Sequence, residues 1–310
     1  MLTLVTGGAG FIGANVVRRL LGDGHSVRVL DDLSTGLQSN LIGMDVDFRL
    51  GSITDRQVVS DAMSGVSAVV HLAARGSVPR SVEDPMATHA VNATGTLNVL
   101  VAARAVEAHV IVSSSSSVYG ANLALPKREE MWAQPLSPYG ASKLAGESYV
   151  LAFREVYGLS ALALRFFNVY GPMQRPDHDY AAVIPKFAWS ALRREPLEIH
   201  GDGEQTRDFT HVNSVVEVIA DALQRRLSRA RPINLAFGDR ITVNGIVDAL
   251  SRLVGRSLVV DYKPARPGDV RNSQNDPTLL RSVFPSVEPL PFEIGLASVV
   301  DWLEVRQATS

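Results

Sequence analysis

Two hydrophobic periods alternate along the first half of the chain. Leu2-Thr-Leu-Val-Thr6 is a short apolar run with β-branched residues, the texture of a buried strand. Ala14 to Leu21 places its apolar residues at helical spacing and stops at Gly22. Ser26 to Leu30 returns to strand texture and ends at Asp31-Asp32. The same reading predicts strands over Val46–Leu50, Ala68–Leu72, Val110–Val112 and Ser160–Phe166, and helices over Asn92–Val106 and Tyr139–Tyr157. Such alternation predicts an α/β fold, a doubly wound parallel sheet with helices on both faces. Ligands of open α/β sheets bind beyond the carboxyl ends of the strands. His71 to Ala74, the serines Ser113 to Ser117 and Asn168 all follow strand ends, so they are expected to line one crevice.

Beyond Phe166 the pattern changes. Pro and Gly become frequent, as in Gly171-Pro172, Pro176, Pro185, Pro196 and Gly201-Asp-Gly203, and short strand and helix signals mix. Helices are predicted over Val212–Arg225, Val243–Val254 and Ile294–Glu304. This predicts a first domain over 1–166, with return segments near 212–236, and a smaller mixed α/β lobe over 167–310.

Composition narrows the options. The 310 residues, 46% hydrophobic and 20% charged, suffice for one large domain or two smaller ones with a sizeable core. A net charge of −2 shows no global bias toward nucleic acid or an anionic membrane. The chain has no cysteine, which excludes disulfides, thiolate metal sites and cysteine nucleophiles, and suits a reducing compartment. His178, His200 and His211 show no ligand spacing, so no metal is expected. No run reaches the ~18 apolar residues of a membrane span, and the expectation is a soluble, cytoplasmic protein.

Two stretches carry candidate chemistry. Gly7-Gly-Ala-Gly10-Phe11-Ile12-Gly13 lies between the first strand and the first helix, and the second strand ends in Asp31. That succession is a dinucleotide-binding unit: the glycines let the backbone approach a pyrophosphate at a helix N-terminus, and the carboxylate accepts the ribose hydroxyls. Asp31 favours NAD over NADP, since a 2′-phosphate would meet a carboxylate. Tyr139 and Lys143 stand four residues apart, on one face of a helix, where an ammonium favours the phenolate and makes the tyrosine a general base for an alcohol.

Further segments extend the pattern: Asp31-Asp-Leu-Ser-Thr-Gly36, His71-Leu-Ala-Ala74, Ser113 through Gly120, Ser137-Pro-Tyr-Gly-Ala-Ser-Lys143, Arg165-Phe-Phe-Asn-Val-Tyr-Gly171, Gly201-Asp-Gly through Arg207-Asp208, and Arg266-Pro-Gly-Asp-Val270. In this order, and over nearly the whole chain, they resemble the extended short-chain dehydrogenases/reductases, in the nucleotide-sugar epimerase/dehydratase branch. The resemblance implies a Rossmann domain with NAD, a UDP-sugar substrate and a homodimer. It implies Ser115, Tyr139 and Lys143 as the catalytic set. Ser115 holds the sugar 4-hydroxyl, Tyr139 is the base, and Lys143 binds the nicotinamide ribose and lowers the tyrosine pKa. Cofactor contacts are implied for Gly7, Gly10, Phe11, Ile12, Gly13, Asp31, Asp32, Ser52, Ile53, Leu72, Ala73, Ala74, Asn92 and Phe166, besides Tyr139 and Lys143. Ser52 departs from the family, which more often has Asp there, so a weaker adenine contact is expected.

For the substrate, the resemblance implies that Arg207 and Arg266 clamp the diphosphate, that Asp269 accepts the ribose and that Asn168 touches the diphosphate–sugar linkage; Ser116 also lies in the sugar site. Phe209 and Ile199 are expected in the core or the uracil wall. Dehydratases of the family place Asp-Glu after the catalytic residue, and decarboxylases usually a Glu; here Ser116 and Ser117 stand instead. C4 epimerisation is therefore expected. Ser77-Val-Pro-Arg-Ser81 and the segment Tyr180 to Lys186, with Val183, resemble enzymes accepting UDP-N-acetylhexosamines, and the small Ser273 leaves room for an N-acetyl group. Gln174-Arg175-Pro-Asp177 instead resembles uronate epimerases, in which the arginine holds the carboxylate. UDP-GlcNAc/GalNAc or UDP-Glc/Gal is the expected substrate, with UDP-glucuronate as a third; another nucleotide-sugar-modifying enzyme of the same family (a dehydratase or decarboxylase) and a non-catalytic NAD-binding scaffold are the alternatives.

Overall fold

The computed structural model describes residues 1–177, 181–265 and 271–308. Arg266 and Asp269, and likewise His178 and Tyr180, lie outside the described residues, and so do the expectations for them. Two compact units divide the chain. Met1–Leu123, Glu129–Phe166 and Val216–Leu235 form the first; Ala124–Arg128, Phe167–Val215 and the described residues from Ala236 onward form the second.

The first unit begins β1 (Leu2–Thr6), α1 (Phe11–Gly22), β2 (Ser26–Asp31), β3 (Val46–Leu50), α2 (Arg56–Ala62) and β4 (Ala68–His71). Two short helices follow, α3 (Val78–Glu83) and α4 (Pro85–His89), then α5 (Thr96–Ala105), β5 (His109–Ser115), α6 (Pro138–Tyr157) and β6 (Ala161–Phe166). The helix predicted over Asn92–Val106 is in two parts. Ala90–Gly95 widen into a π-turn before α5, and Asn92 in that turn accepts from the Arg75 N–H at 2.8 Å and donates to Ser142 Oγ at 3.0 Å.

The second unit supplies β7 (Asn168–Tyr170), α7 (Val183–Arg193), β8 (Leu197–His200), β9 (Thr206–Arg207) and β10 (Phe209–His211). The division falls within α8 (Val212–Gln224), after which β11 (Ile233–Leu235) belongs to the first unit. β12 (Ile241–Thr242), α9 (Val243–Leu253), β13 (Val260–Lys263), α10 (Thr278–Val283) and α11 (Phe292–Ala308) complete the second.

The sheet of the first unit runs β11-β6-β5-β4-β1-β2-β3, with every neighbouring pair parallel. All four residues of β4, all seven of β5 and all six of β6 are buried, which is why these strands read as near-continuous apolar or small-residue runs. Leu4, Leu30, Val69, Val99, Leu100, Val110, Val112, Val150 and Phe153 pack into one core, joining the sheet to α5 and α6. The order in which strands join the sheet reverses between the parallel neighbours β1 and β4, whose carboxyl ends carry the glycine turn and His71. A crevice opens at such a reversal in doubly wound sheets.

Among the described residues, the strands of the second unit form three two-stranded pairs: β7 with β10 and β8 with β13 are parallel, and β9 with β12 is antiparallel. Its core gathers Tyr170, Ile184, Phe187, Leu197, Ile199, Phe209, Ile246, Leu250, Leu296 and Leu303. Phe209 and Ile199 are therefore core residues of this unit.

Candidate active site

The turn after β1 is shaped by backbone contact. Gly7 has φ +70°, and a Cβ there would lie 2.7 Å from the Ala73 nitrogen; a Cβ on Gly13 would lie 2.1 Å from the Gly7 carbonyl oxygen. Only glycine fits both places. Gly10 caps α1 with no side-chain hydrogen bond, so the first N–H groups, those of Phe11 and Ile12 among them, point out of the helix with no side-chain acceptor at the cap. Leu72 donates to the Thr6 carbonyl at 3.1 Å and Ala73 to Thr6 Oγ1 at 3.3 Å, which draws the end of β4 against the turn, with Ala74 next in the chain.

Asp31 sits buried at the end of β2. Its Oδ2 accepts from the Ala9 N–H at 2.9 Å and its Oδ1 from the Leu33 N–H at 2.9 Å. Burial pushes the carboxyl up, and these two N–H groups oppose that. The neighbouring Asp32 is exposed and accepts from the Ser34 N–H at 3.0 Å. Ser52 Oγ lies 3.0 Å from Thr54 Oγ1, while the buried Ile53 gives its carbonyl to Asn98 at 3.0 Å. A cradle that any Cβ would fill, an uncapped helix start and a carboxylate at the next strand end together fit a dinucleotide.

The second cluster lies between β5 and α6. Ser137 caps α6 by accepting from the Gly140 N–H at 3.1 Å, and Pro138 takes the first helical position. That start places Tyr139 and Lys143 on one face. Ser115, at the last position of β5, interacts with the Tyr139 side chain and favours its ionised form. Its Oγ also accepts from the Ser117 N–H at 3.1 Å, setting the turn that holds Ser116. Lys143 is buried, and its Nζ donates to the Ser113 carbonyl at 2.9 Å. Phe166 pairs in register with Ser115 at the end of β6.

The electrostatics correct one expectation. Tyr139 was expected to have a lowered pKa from Lys143. In the ligand-free protein burial pushes the phenol up, and only the Ser115 side chain opposes it. Burial also takes the Lys143 ammonium down to about 8, and its Nζ donates to the Ser113 carbonyl. His71 bridges Thr6 Oγ1 (2.7 Å) and Thr96 Oγ1 (2.9 Å). Burial first, and the Lys143 charge second, bring it to about 3, so it stays neutral and is no proton carrier near pH 7.

The remaining first-unit residue, Ser77, caps α3 by accepting from the Arg80 N–H at 3.3 Å. In the second unit, Asn168 opens β7 and donates from Nδ2 to the Asp208 carbonyl at 3.2 Å. Arg207 donates to the Thr206 carbonyl (2.9 Å) and the Arg271 carbonyl (3.3 Å), while the Ser273 N–H donates to the same Thr206 carbonyl at 3.1 Å. Arg207 and Ser273 are thus brought together. Arg175 is bound to Asp177 at 3.0 Å, and the other oxygen of Asp177 takes Arg306 at 2.9 Å. Val183 is the first residue of α7, and Lys186 on the same helix pairs with Glu198 at 3.1 Å. Asp208, adjacent to Arg207, is fully buried and accepts from the N–H groups of Gly238 (3.0 Å) and Asn275 (2.9 Å). Burial pushes it up to about 7. No spacing in the sequence signals this hub.

The profile of the NAD dependent epimerase/dehydratase family matches residues 3–236. The chain is 36% identical over 310 residues to UDP-glucose 4-epimerase of Mycolicibacterium smegmatis, covering 97% of this chain and 98% of that one. Among solved structures, UDP-N-acetylglucosamine 4-epimerase from Methanobrevibacter ruminantium M1, in complex with UDP-N-acetylmuramic acid, superposes with a TM-score of 0.92 at 35% identity, covering 98% of both chains. UDP-glucose 4-epimerase of Thermus thermophilus, in complex with NAD, gives 0.89 at 35% identity, covering 98% of this chain and 99% of that one.

Proposed function

The chain belongs to the NAD dependent epimerase/dehydratase family, and from that premise we propose that it interconverts the C4 epimers of a UDP-sugar through a transient 4-keto sugar. The observation that supports this most is the Ser115–Tyr139–Lys143 cluster followed by hydroxyls, and no carboxylate, at Ser116 and Ser117. NAD is the cofactor, and when bound it accepts hydride from C4 and returns it. Gly7, Gly10, Gly13 and the start of α1 would hold its pyrophosphate, and Asp31 its adenosine ribose.

Tyr139, once ionised, takes the O4 proton as the alcohol becomes a ketone, and gives it back when the alcohol reforms. No net proton leaves the site. Ser115 fixes the oxygen that loses the proton and lowers the cost of the phenolate by donating to it. Lys143 supplies a buried positive charge within the same face of α6. With hydroxyls at 116 and 117, the site has no acid there to expel a 6-hydroxyl, so the ketone is reduced again. Inversion requires only that the opposite face of C4 be presented in the return step.

In the second unit, Arg207 is our candidate for the diphosphate, with Arg266, Asp269 and Asn168 as further contacts. A small Ser273 beside Arg207 favours a sugar with an N-acetyl group. The pairing of Arg175 with Asp177 weighs against a uronate, whose carboxylate would have to displace it. UDP-GlcNAc/GalNAc and UDP-Glc/Gal are therefore the preferred substrates, for a homodimer acting in the cytoplasm. The test is kcat/KM on UDP-GlcNAc, UDP-glucose and UDP-glucuronate, with Tyr139→Phe as control. Either neutral sugar should lead, and the control should lose about 10²–10⁴-fold. A strong preference for the uronate overturns the substrate assignment.

A further inference from the structure

Glu147 lies one turn beyond Lys143 on α6, so Tyr139, Lys143 and Glu147 follow one another at four-residue steps along one face. It is 3% exposed, and it forms a two-pronged pair with the equally buried Arg165 of β6: Nε to Oε2 at 2.9 Å and Nη2 to Oε1 at 2.7 Å. Ser114 donates to Oε2 at 2.6 Å. Arg165 Nη1 donates to the Tyr119 hydroxyl at 2.7 Å, and that hydroxyl donates to Asn234 Oδ1 of β11 at 2.7 Å. The Arg165 guanidinium also lies 4.8 Å from the Tyr119 ring centre. The network ties α6 to three neighbouring strands and to the turn after Ser117.

The consecutive serines at the end of β5 each hold one member of the α6 series. Ser115 meets Tyr139, the Ser113 carbonyl meets Lys143, and the Ser114 hydroxyl meets Glu147. Of the three, only Glu147 is locked from a second side by a two-pronged charged contact, the geometry that best fixes position as well as distance. Sliding α6 along its axis would break the Glu147–Arg165 fork and, in the same motion, part Tyr139 from Ser115. We propose that the Glu147–Arg165 pair is a positioning clamp, which sets the register of α6 against β5 so that Tyr139 and Lys143 meet their serine partners. This rests on the assignment of Tyr139 as the reacting base.

Removing one partner leaves a buried charge unpaired and can prevent folding, whereas replacing both by apolar residues of similar volume is often tolerated. The test is therefore the Glu147→Leu/Arg165→Met double variant, which leaves the net charge unchanged. Two readouts are compared with the unaltered protein. The first is the ultraviolet titration of the Tyr139 phenol in ligand-free protein, taken as the difference from the matching Tyr139→Phe protein. The second is the split between kcat and KM for a UDP-sugar. Loss of the Ser115 contact should raise the phenol midpoint by about half a unit or more. The kcat should fall about tenfold or more, with KM within about twofold, as misplacement of a catalytic group requires. An unchanged midpoint with kcat within about twofold overturns the clamp, even if the melting temperature drops. Should the unaltered protein yield no C4 epimer, the proposed reaction fails, while the titration still judges the clamp on its own.

Discussion

Lys143 is a charged group that the fold has to carry in a poor place. Burial takes its ammonium from 10.5 to about 8 in the ligand-free protein, and its hydrogen-bond partner is a carbonyl and not a carboxylate. Between pH 8 and 10.5 the unfolded chain keeps this proton while the folded one loses it, so the folded state gains stability as pH rises through that window. Compared with Lys143→Met, the unaltered protein should therefore become relatively more stable from about pH 8 to 10.5, with no relative change from about pH 6 to 8. Urea midpoints at each pH read this directly, and parallel curves for the two proteins would show that the lysine is not held as described. Tyr139 shares the predicament, because its phenol is raised with only Ser115 opposing. In the proposed reaction both residues act only once the cofactor and an alcohol bring new partners.

At the scale of elements, α1 shows how a turn and a helix are fitted to a ligand. A methyl on Gly13 would meet the Gly7 carbonyl oxygen at 2.1 Å and the Gly8 Cα at 2.7 Å, all backbone that cannot rotate aside. Gly22 closes the same helix with nothing within 4 Å of an added Cβ. Gly13→Ala should cost about 1–3 kcal/mol or more through overpacking and abolish NAD retention. Gly22→Ala should be neutral or stabilising by up to about 1 kcal/mol, with NAD retained. Thermal unfolding and the cofactor content of purified protein measure both, and a Gly13→Ala protein that still binds NAD would contradict the cradle. The strand ends that form the cradle were visible in the sequence because β1 and β4 are almost wholly buried and read as apolar runs, and β2 ends in three buried residues. The paired segments of the second unit were not, since two to four residues leave no period to detect. The π-turn at Ala90–Gly95 was also hidden, because six residues are too few for its wider turn to stand out from the helical period on either side.

At the scale of the whole molecule, the chemistry was more legible than its supports. The proposed set of Ser115, Tyr139 and Lys143 comes from spacing and resemblance, and the fold places Tyr139 and Lys143 on one face of α6. Glu147 could not, although it continues the same helical face, because its meaning depends on Arg165 of a neighbouring strand. Asp208 was hidden for a related reason: its partners, Gly238 and Asn275, lie 30 and 67 residues away. The electrostatic state of the site was the least legible part, since burial reverses the shift that the Tyr–Lys pair alone implies. In the proposed reaction the product depends on the fate of the 4-keto sugar, and the hydroxyls of Ser116 and Ser117 are the residues proposed to decide it. The most direct measurement is turnover of a UDP-sugar carrying deuterium at C4, followed by proton NMR of the product. The expected product is a C4-inverted UDP-sugar that keeps the deuterium at C4 and its 6-hydroxyl. A 4-keto, unsaturated or decarboxylated product, or loss of the label from C4, would contradict it.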